Sequence, residues 1–275
     1  MRAEDLAAAM AEDVGKGLCP VFVCANVGTT NSCAVDPVKA IGEVCQGCLE
    51  GESVFLPWLH VDAAYAGAAA VCPEFNWLLD GVGLTDSFSF NPHKWLLVSF
   101  DCSAMWVRSR SALTDALTVT PEILRSKEYD QGLVSDYRDW QIPLGRKFRS
   151  LKIWFTLRAL GVEKLREHIR GHVALATLFA GLVRADARFE IVCPPQLGLV
   201  CFRLVGTDEA NKELRSRLVS SGAAFLSSTV LGGRTVLRLA VGSPHTREEH
   251  IHAVWAATQE AAAAAAATST TSELA

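Results

Sequence analysis

Two side chains of complementary chemistry, Asp62 and Lys94, lie 32 residues apart in this chain of 275 residues. A lysine amine can form a Schiff base with an aldehyde cofactor. A buried carboxylate can keep the ring nitrogen of such a cofactor protonated, so that the ring withdraws electrons from the reacting carbon. Each residue alone is weak evidence, because most lysines are solvated. The pair, set among apolar strand-like runs, indicates a pyridoxal phosphate (PLP) site.

The segments around both residues resemble one enzyme family. Between Trp58 and Val107 the chain contains the runs HVDAAYAG, DSFSFNPHKWLL and FDCSAMWV, and residues 136–146 read DYRDWQIPLGR. These motifs are similar to those of the group II PLP-dependent amino-acid decarboxylases, most closely the aromatic L-amino-acid decarboxylases of plants and animals. The similarity continues to about Gly161 and, more thinly, to Trp255. The resemblance implies an α/β protein with the PLP-dependent transferase-like fold (fold type I).

The apolar pattern agrees with an α/β protein. Short runs rich in Val and Phe alternate with helical segments, which is typical of a parallel or mixed sheet covered on both sides. The pattern predicts helices over 3–14, 37–49, 148–184 with a break near Gly161, 208–221 and from Thr246. It predicts strands over 20–27, 58–62, 88–90, 104–107, 189–193, 198–205, 223–228 and 234–241.

These elements divide the chain into four parts. Residues 1–107 are predicted to form part of a large PLP-binding domain with a mixed or parallel sheet, and 148–260 a connecting helix and a small C-terminal α/β domain. Residues 108–147 are polar with little apolar periodicity, so a mobile catalytic loop and connection is expected. Residues 261–275 begin with seven alanines and continue with Thr and Ser, which predicts a frayed helix and then a disordered tail.

The resemblance also implies site roles. Lys94 binds the cofactor aldehyde, Asp62 pairs with the ring nitrogen and Ala64 packs on one ring face. Three further residues resemble family positions around the phosphate and the cofactor. They supply a hydroxyl (Thr30), an amide (Asn91) and an imidazole (His93). His60 is equally compatible with a place near the cofactor and with a hydrogen-bonded core histidine.

One departure from the family concerns the residue that returns a proton to the reacting carbon. In the aromatic decarboxylases this is a loop tyrosine 29 residues after the lysine, and an ungapped count from Lys94 reaches Ile123. Isoleucine cannot donate a proton. In the plant branch of the family, a phenylalanine at this position resembles the aldehyde synthases, which use oxygen to release an aldehyde, and Ile123 likewise lacks the hydroxyl. Tyr129, in the same loop, is the alternative proton donor.

Composition excludes several other classes of function. A net charge of −4 gives no reason to expect nucleic acid or an anionic membrane as a partner, and no apolar run is long enough to span a bilayer. His168 and His172 lie four residues apart, but without a third ligand we expect a solvated helix face and no metal site.

Cysteines within hydrophobic runs predict reduced core residues in a cytoplasmic protein (Cys24, Cys72, Cys193 and Cys201).

Three functions follow from these observations. The first is a PLP-dependent carboxy-lyase that converts an aromatic L-amino acid to the amine and CO₂ through a Lys94 Schiff base, as a homodimer. The second is an aromatic aldehyde synthase, favoured by Ile123. The third is a non-catalytic remnant, because the chain resembles only the C-terminal portion of the family. The substrate among the aromatic amino acids stays open.

Overall fold

The computed structural model describes residues 1–47, 56–119, 122–124 and 126–272, with side chains described for all of these except 124 and 265–272. Two four-stranded sheets organise the chain, one in each half. Both the α/β class and the mixed character predicted for the first sheet are confirmed.

The first sheet contains the strands β1 (Phe22–Asn26), β2 (Trp58–Asp62), β3 (Ser87–Phe90) and β4 (Ala104–Val107), in that spatial order. The first three strands are parallel and β4 is antiparallel to β3. Because β1, β2 and β3 run the same way, their carboxyl ends lie at one edge of the sheet, where α/β proteins place their ligands.

The two faces of this sheet differ in cover. The face that includes Val23 and Val61 is buried against α2 (Val38–Gly47) and the short 3₁₀ helices 66–71 and 73–79. On the opposite face, Phe22 is 57 % exposed. Cys24, next on that face, is also exposed, so its prediction as a core residue was wrong: the strand is buried on one side only. Helix α1 (Ala3–Gly15) lies beside α2, whose predicted residues 48–49 fall outside the described residues.

The connection between the two sheets is built from short helical turns. After α3 (Pro92–Trp95) and β4 come α4 (Arg110–Leu117), α5 (Lys127–Asp130) and 3₁₀ turns at 122–124 and 137–140. Serine hydroxyls cap the two α-helices: Ser109 accepts a hydrogen bond from the Ala112 amide and Ser126 from the Tyr129 amide. The use of this segment as a mobile catalytic loop stays a prediction.

The long predicted helix is present as α6 (Arg149–Arg184), with the expected break at Gly161. That glycine has φ 71° and ψ 167°, a left-handed backbone conformation that a residue with a Cβ adopts only at a cost. The helix therefore consists of two segments, and the second carries the buried face.

The second sheet is antiparallel and has the spatial order β5 (Phe189–Ile191), β6 (Leu199–Leu204), β8 (Arg234–Ala240), β7 (Ser227–Leu231). Strand β7 begins four residues later than the sequence predicted. It runs directly into the turn Gly232–Gly233, where both φ angles are positive, as a two-residue hairpin requires. This turn fixes the register between β7 and β8.

Two further helices complete the second half, α7 (Asp208–Ser220) and α8 (Glu248–Ser272). Residues 261–272 are helical: the seven alanines form the predicted helix, in line with their high helix propensity, and the helix continues five residues further, to Ser272. Residues 273–275 lie outside the described residues. A single hydrophobic cluster joins the halves: Val23 and Leu59 of the first sheet share it with Ile169 of α6 and with Leu199 and Val236 of the second.

Candidate active site

The carboxyl edge of the first sheet brings the two predicted key residues to one place. Asp62 is the last residue of β2, and α3, which carries Lys94, begins two residues after β3 ends. The Ala63 amide donates to Ser89 O at 2.8 Å and the Asn91 amide donates to Ala64 O at 3.0 Å. These two hydrogen bonds join the turn after Asp62 to the segment that leads into Lys94.

The Asp62 carboxylate has a defined orientation. Its Oδ1 atom accepts a hydrogen bond from the Ala64 amide at 2.9 Å, and its side chain is half-buried. A charge-assisted bond from a backbone amide is among the stronger hydrogen bonds in proteins. The carboxylate therefore stays ordered at the edge of the sheet, next to a residue whose side chain is only a methyl group.

Lys94 is exposed, although the residues that follow it in the sequence, Trp95 to Val98, are apolar. Its backbone amide donates to Asn91 O at 2.9 Å, within a helix of four residues. Successive residues on a helix point about 100° apart, so the adjacent Trp95 is buried while Lys94 is not. The amine is thus free to meet a group that arrives at the sheet edge.

His93 is bound to the segment that follows α3. Its Nδ1 atom lies 2.5 Å from Cys102 O and 3.0 Å from Cys102 N. Its ring meets the edge of Phe100, with 5.0 Å between the ring centroids. In this arrangement the imidazole connects α3 to the start of β4, and a role beside the phosphate stays a prediction.

Thr30 lies in the loop after β1, at the same edge of the sheet, and is exposed. The loop is held from the second sheet: the Arg238 guanidinium donates to Thr30 O and, at 2.9 Å, to Asn31 O. Gly28 opens the loop with φ +85°, and a Cβ there would lie 2.5 Å from the Cβ of Ala66. Only glycine allows this close approach.

His60 belongs to a hydrogen-bonded network across β2 and β3. Its Nδ1 lies 2.7 Å from Ser87 Oγ and its Nε2 lies 3.2 Å from Ser89 Oγ. The Trp58 indole donates to the same Ser87 hydroxyl at 2.7 Å. Burial lowers the pKa of His60, and the Asp62 charge acts in the opposite direction. Of the two interpretations of His60, the network supports the structural one.

The two residues predicted for proton transfer occupy different environments. Ile123 is 89 % exposed, in the turn 122–124. Tyr129 is half-buried, and its hydroxyl donates to Asp139 Oδ2 at 2.8 Å. The isoleucine is thus free of packing constraints, whereas the tyrosine hydroxyl already has a carboxylate partner.

Sequence reasoning missed a residue that contacts Trp95, the neighbour of Lys94 on α3. His172 is only 4 % exposed, and its Nδ1 accepts a hydrogen bond from the Trp95 indole at 2.9 Å, so the predicted solvated position was wrong. The signal was present in the spacing of the buried face of α6, which runs through Leu165, Ile169, His172, Ala176, Phe179 and Val183. Among the described residues, no group of three His, Cys, Asp or Glu side chains is placed to hold a metal ion.

Comparison with known proteins agrees with these observations. Residues 1–205 match the family model described as the pyridoxal-dependent decarboxylase conserved domain. Phenylacetaldehyde synthase of Arabidopsis thaliana is 48 % identical over 95 % of this chain and 54 % of its own length. Aromatic-L-amino-acid decarboxylase of Cavia porcellus is 48 % identical over 95 % of this chain and 53 % of its own.

A solved structure gives the same answer for the fold. The crystal structure of Oryza sativa TDC with PLP and tryptamine superposes with a TM-score of 0.90 at 45 % identity, covering 96 % of this chain and 55 % of that one. The chain therefore has the fold of the PLP-dependent enzymes of fold type I and spans about half the length of the relatives it matches. Of the helices in the described segments, none is long and apolar enough to cross a membrane.

Proposed function

Since the chain belongs to the pyridoxal-dependent decarboxylase family, we propose that this protein decarboxylates an aromatic L-amino acid to the corresponding amine and CO₂. The observation that carries the proposal is the junction at the sheet edge. There the Asn91–Ala64 hydrogen bond brings the Lys94 helix against the turn that orients Asp62. The Lys94 amine lies on the helix that follows β3, and the ordered Asp62 carboxylate ends the neighbouring parallel strand β2; the two groups match the two ends of the PLP ring system.

The residues at this edge fit the cofactor. When bound, PLP supplies a protonated ring that stabilises negative charge at the carbon that loses the carboxylate. Lys94 provides an exposed amine for the aldehyde, and Asp62 provides the anion that keeps the ring nitrogen protonated. Ala64, whose amide donates to the Asp62 carboxylate, is proposed to pack its methyl side chain on one face of the ring. Thr30, Asn91 and His93 are proposed to surround the phosphate and cofactor.

The substrate class rests on the relatives. The guinea pig protein is named for aromatic L-amino acids, and the rice structure contains tryptamine, an aromatic amine. An aromatic amino acid is therefore the proposed substrate, and which one it is stays open. Assembly as a homodimer and a cytoplasmic location stay predictions from the resemblance and the composition.

A second candidate function is favoured by Ile123. With no hydroxyl at this position, the side chain cannot return a proton to the substrate carbon. The alternative outcome consumes O₂ and water and yields the aldehyde, CO₂, ammonia and hydrogen peroxide. The Arabidopsis relative is named as such an aldehyde synthase, and it is as similar to this chain as the decarboxylase of Cavia porcellus. Product analysis separates the two candidates.

The primary proposal is tested by incubating the purified chain with PLP, reducing it with borohydride and mapping the modified lysines by mass spectrometry. We expect the adduct to concentrate on Lys94, with Lys39 and Lys152 as internal references for non-specific labelling. Asp62→Asn should reduce the Lys94 adduct, whereas Asp80→Asn, which changes a carboxylate outside the sheet edge, should not. Labelling spread evenly over the lysines would contradict the proposal and favour a non-catalytic protein.

A further inference from the structure

The helix that carries Lys94 cannot hold its own position. Helix α3 has four residues, too few for a stable isolated helix. Lys94 is exposed, so it makes little of the packing itself, whereas Trp95 is 1 % exposed. Pro92 is also buried and His93 contacts Cys102, but Trp95 is the largest buried side chain of α3, so the surroundings of its indole contribute to where the Lys94 backbone lies.

Three contacts define the position of the Trp95 indole. Tyr65 stacks on it, with 4.6 Å between ring centroids and 17° between ring planes. Gly198 lies against its edge, so closely that a Cβ on this glycine would be 3.2 Å from Trp95 Cζ2. The indole N–H donates to His172 Nδ1 at 2.9 Å. Stacking and edge contact allow sliding, and the hydrogen bond alone is directional.

The surroundings of His172 determine which of its two ring nitrogens accepts the hydrogen bond from the Trp95 indole. Its Nε2 lies 3.1 Å from Ser243 O, a carbonyl that can only accept, so the proton of the neutral imidazole is on Nε2. Nδ1 is then the acceptor that the indole, a donor without acceptor capacity, requires. Burial, with the His168 ring 4.1 Å away, lowers the pKa of His172 to about 4, which keeps the ring in this neutral form.

We propose that His172 is a positioning residue for Lys94: by accepting the Trp95 indole hydrogen bond, it fixes α3 and sets the place from which the lysine amine meets the cofactor. The cofactor role of Lys94 rests on the function proposed above, but the effect of His172 on the position of Lys94 does not. His172 lies on α6 and Ser243 follows β8. The second half of the chain therefore determines the position of Lys94 in the first half.

The first test follows the hydrogen bond itself. The indole N–H resonances of ¹⁵N-tryptophan-labelled protein identify Trp95 by its absence in Trp95→Phe. We expect hydrogen exchange of the Trp95 indole to be at least tenfold faster in His172→Leu and to change less in His172→Gln, whose amide oxygen keeps an acceptor. His252→Leu removes an exposed histidine from α8 and serves as the matched control, with exchange within twofold of the original protein. Unchanged exchange in His172→Leu would overturn the proposal.

The second test follows Lys94 without any cofactor. Trace acetylation of the native protein, read by mass spectrometry, gives the reactivity of Lys94 relative to Lys39. His172→Leu should change this ratio at least threefold, and His252→Leu should leave it within the error. Loss of indole protection with an unchanged ratio would show that His172 supports Trp95 but does not position Lys94, and the proposal would be wrong.

Two further experiments apply if His172→Leu does not fold or if Lys94 forms no adduct with PLP. If His172→Leu does not fold, Trp95→Phe removes the donor instead. Its effect on the Lys94 ratio should then not grow when His172→Gln is added, and an independent added effect would count against the proposal. With PLP and borohydride, an absent Lys94 adduct in the unchanged protein would contradict the proposed function. The acetylation ratios would still decide the role of His172.

Discussion

The hydroxyl of Tyr129 donates a 2.8 Å hydrogen bond to Oδ2 of Asp139, a carboxylate that is 4 % exposed. The Arg138 guanidinium lies over the same tyrosine ring, 4.9 Å from its centroid. A phenol that already donates to a buried anion, beneath a cation, stabilises the segment around 126–140. This arrangement favours a structural role for Tyr129 over the proton transfer suggested by its place in the sequence.

Tyr129→Phe is therefore expected to lower the free energy of unfolding by about 1–3 kcal/mol, because the buried Asp139 loses a donor. The ratio of amine to aldehyde should not change. Denaturant unfolding and product analysis measure the two effects. Tyr137→Phe is the control, since Tyr137 is 58 % exposed. A shift towards aldehyde in Tyr129→Phe would instead identify Tyr129 as the proton donor.

If the protein is the aldehyde synthase of the second candidate function, Ile123→Tyr should raise the amine share of the products and lower hydrogen peroxide release. The side chain is 89 % exposed, so a tyrosine is accommodated with a change in stability within about 0.5 kcal/mol. Ile123→Phe adds the ring without the hydroxyl and should leave the products as they are. Equal products from all three proteins would show that this position does not govern the fate of the substrate carbon.

Stability is expected to fall on acidification through the window of the buried histidines. The pKa of His172 is about 4 in the folded protein against 6.5 for an unperturbed histidine, so the unfolded chain binds more protons between these values. The free energy of unfolding should thus decrease as pH falls from about 6.5 to about 4. The lowered pKa values of His60 and His168 act in the same direction.

His172→Gln should reduce the slope of the free energy of unfolding against pH by the contribution of at most one proton, because glutamine does not titrate. Denaturant unfolding at several pH values between 4 and 7 gives the slope. Removal of the exposed His252 is the control, and its slope should equal that of the original protein. An unaltered slope in His172→Gln would mean that His172 titrates alike in the folded and unfolded chains.

Arg238→Ala is expected to cost about 2 kcal/mol, because the guanidinium donates to Thr30 O, Asn31 O and Ser227 Oγ. Arg234→Ala, four residues earlier on β8, removes an exposed ion pair with Glu190 and should cost less than about 1 kcal/mol. Hydrogen exchange of the amides at 29–33 should accelerate only in Arg238→Ala. Equal effects of the two substitutions would show that the hydrogen bonds from Arg238 to the Thr30 loop add nothing to the free energy of unfolding.

Much of the fold was accessible from the sequence, because its signals are local. The strand Trp58–Asp62, the strand Ala104–Val107 and the break at Gly161 lie where the apolar pattern and the glycine predicted them. The start of β7 was predicted four residues too early, because the Gly232–Gly233 turn sets the strand's register. The position of β7 is thus determined by the geometry of the turn that follows it and not by the apolar pattern of its sequence.

The site was accessible only in part. Asp62, Ala64, Asn91 and Lys94 are within two short segments, so motif and spacing suffice to bring them to one sheet edge. The Trp95–His172 and Arg238–Thr30 contacts join residues 77 and 208 positions apart in sequence, and no local pattern pairs such residues. Cys24 shows the same limit, since which face of a strand is covered depends on what packs there.

The hydrophobic cluster shared by both sheets has a consequence for how the chain unfolds. This cluster holds Val23 and Leu59 of the first half and Ile169, Leu199 and Val236 of the second, so its full burial requires both halves to be folded together. Neither half has a separate core on the side where they meet, so heat or denaturant should produce one cooperative transition. The linker at 108–147, which the sequence marks as a boundary, is thus a poor place to truncate: the second half keeps its own cluster around Phe179, Phe202 and Trp255, but each half alone would expose its share of the joint cluster.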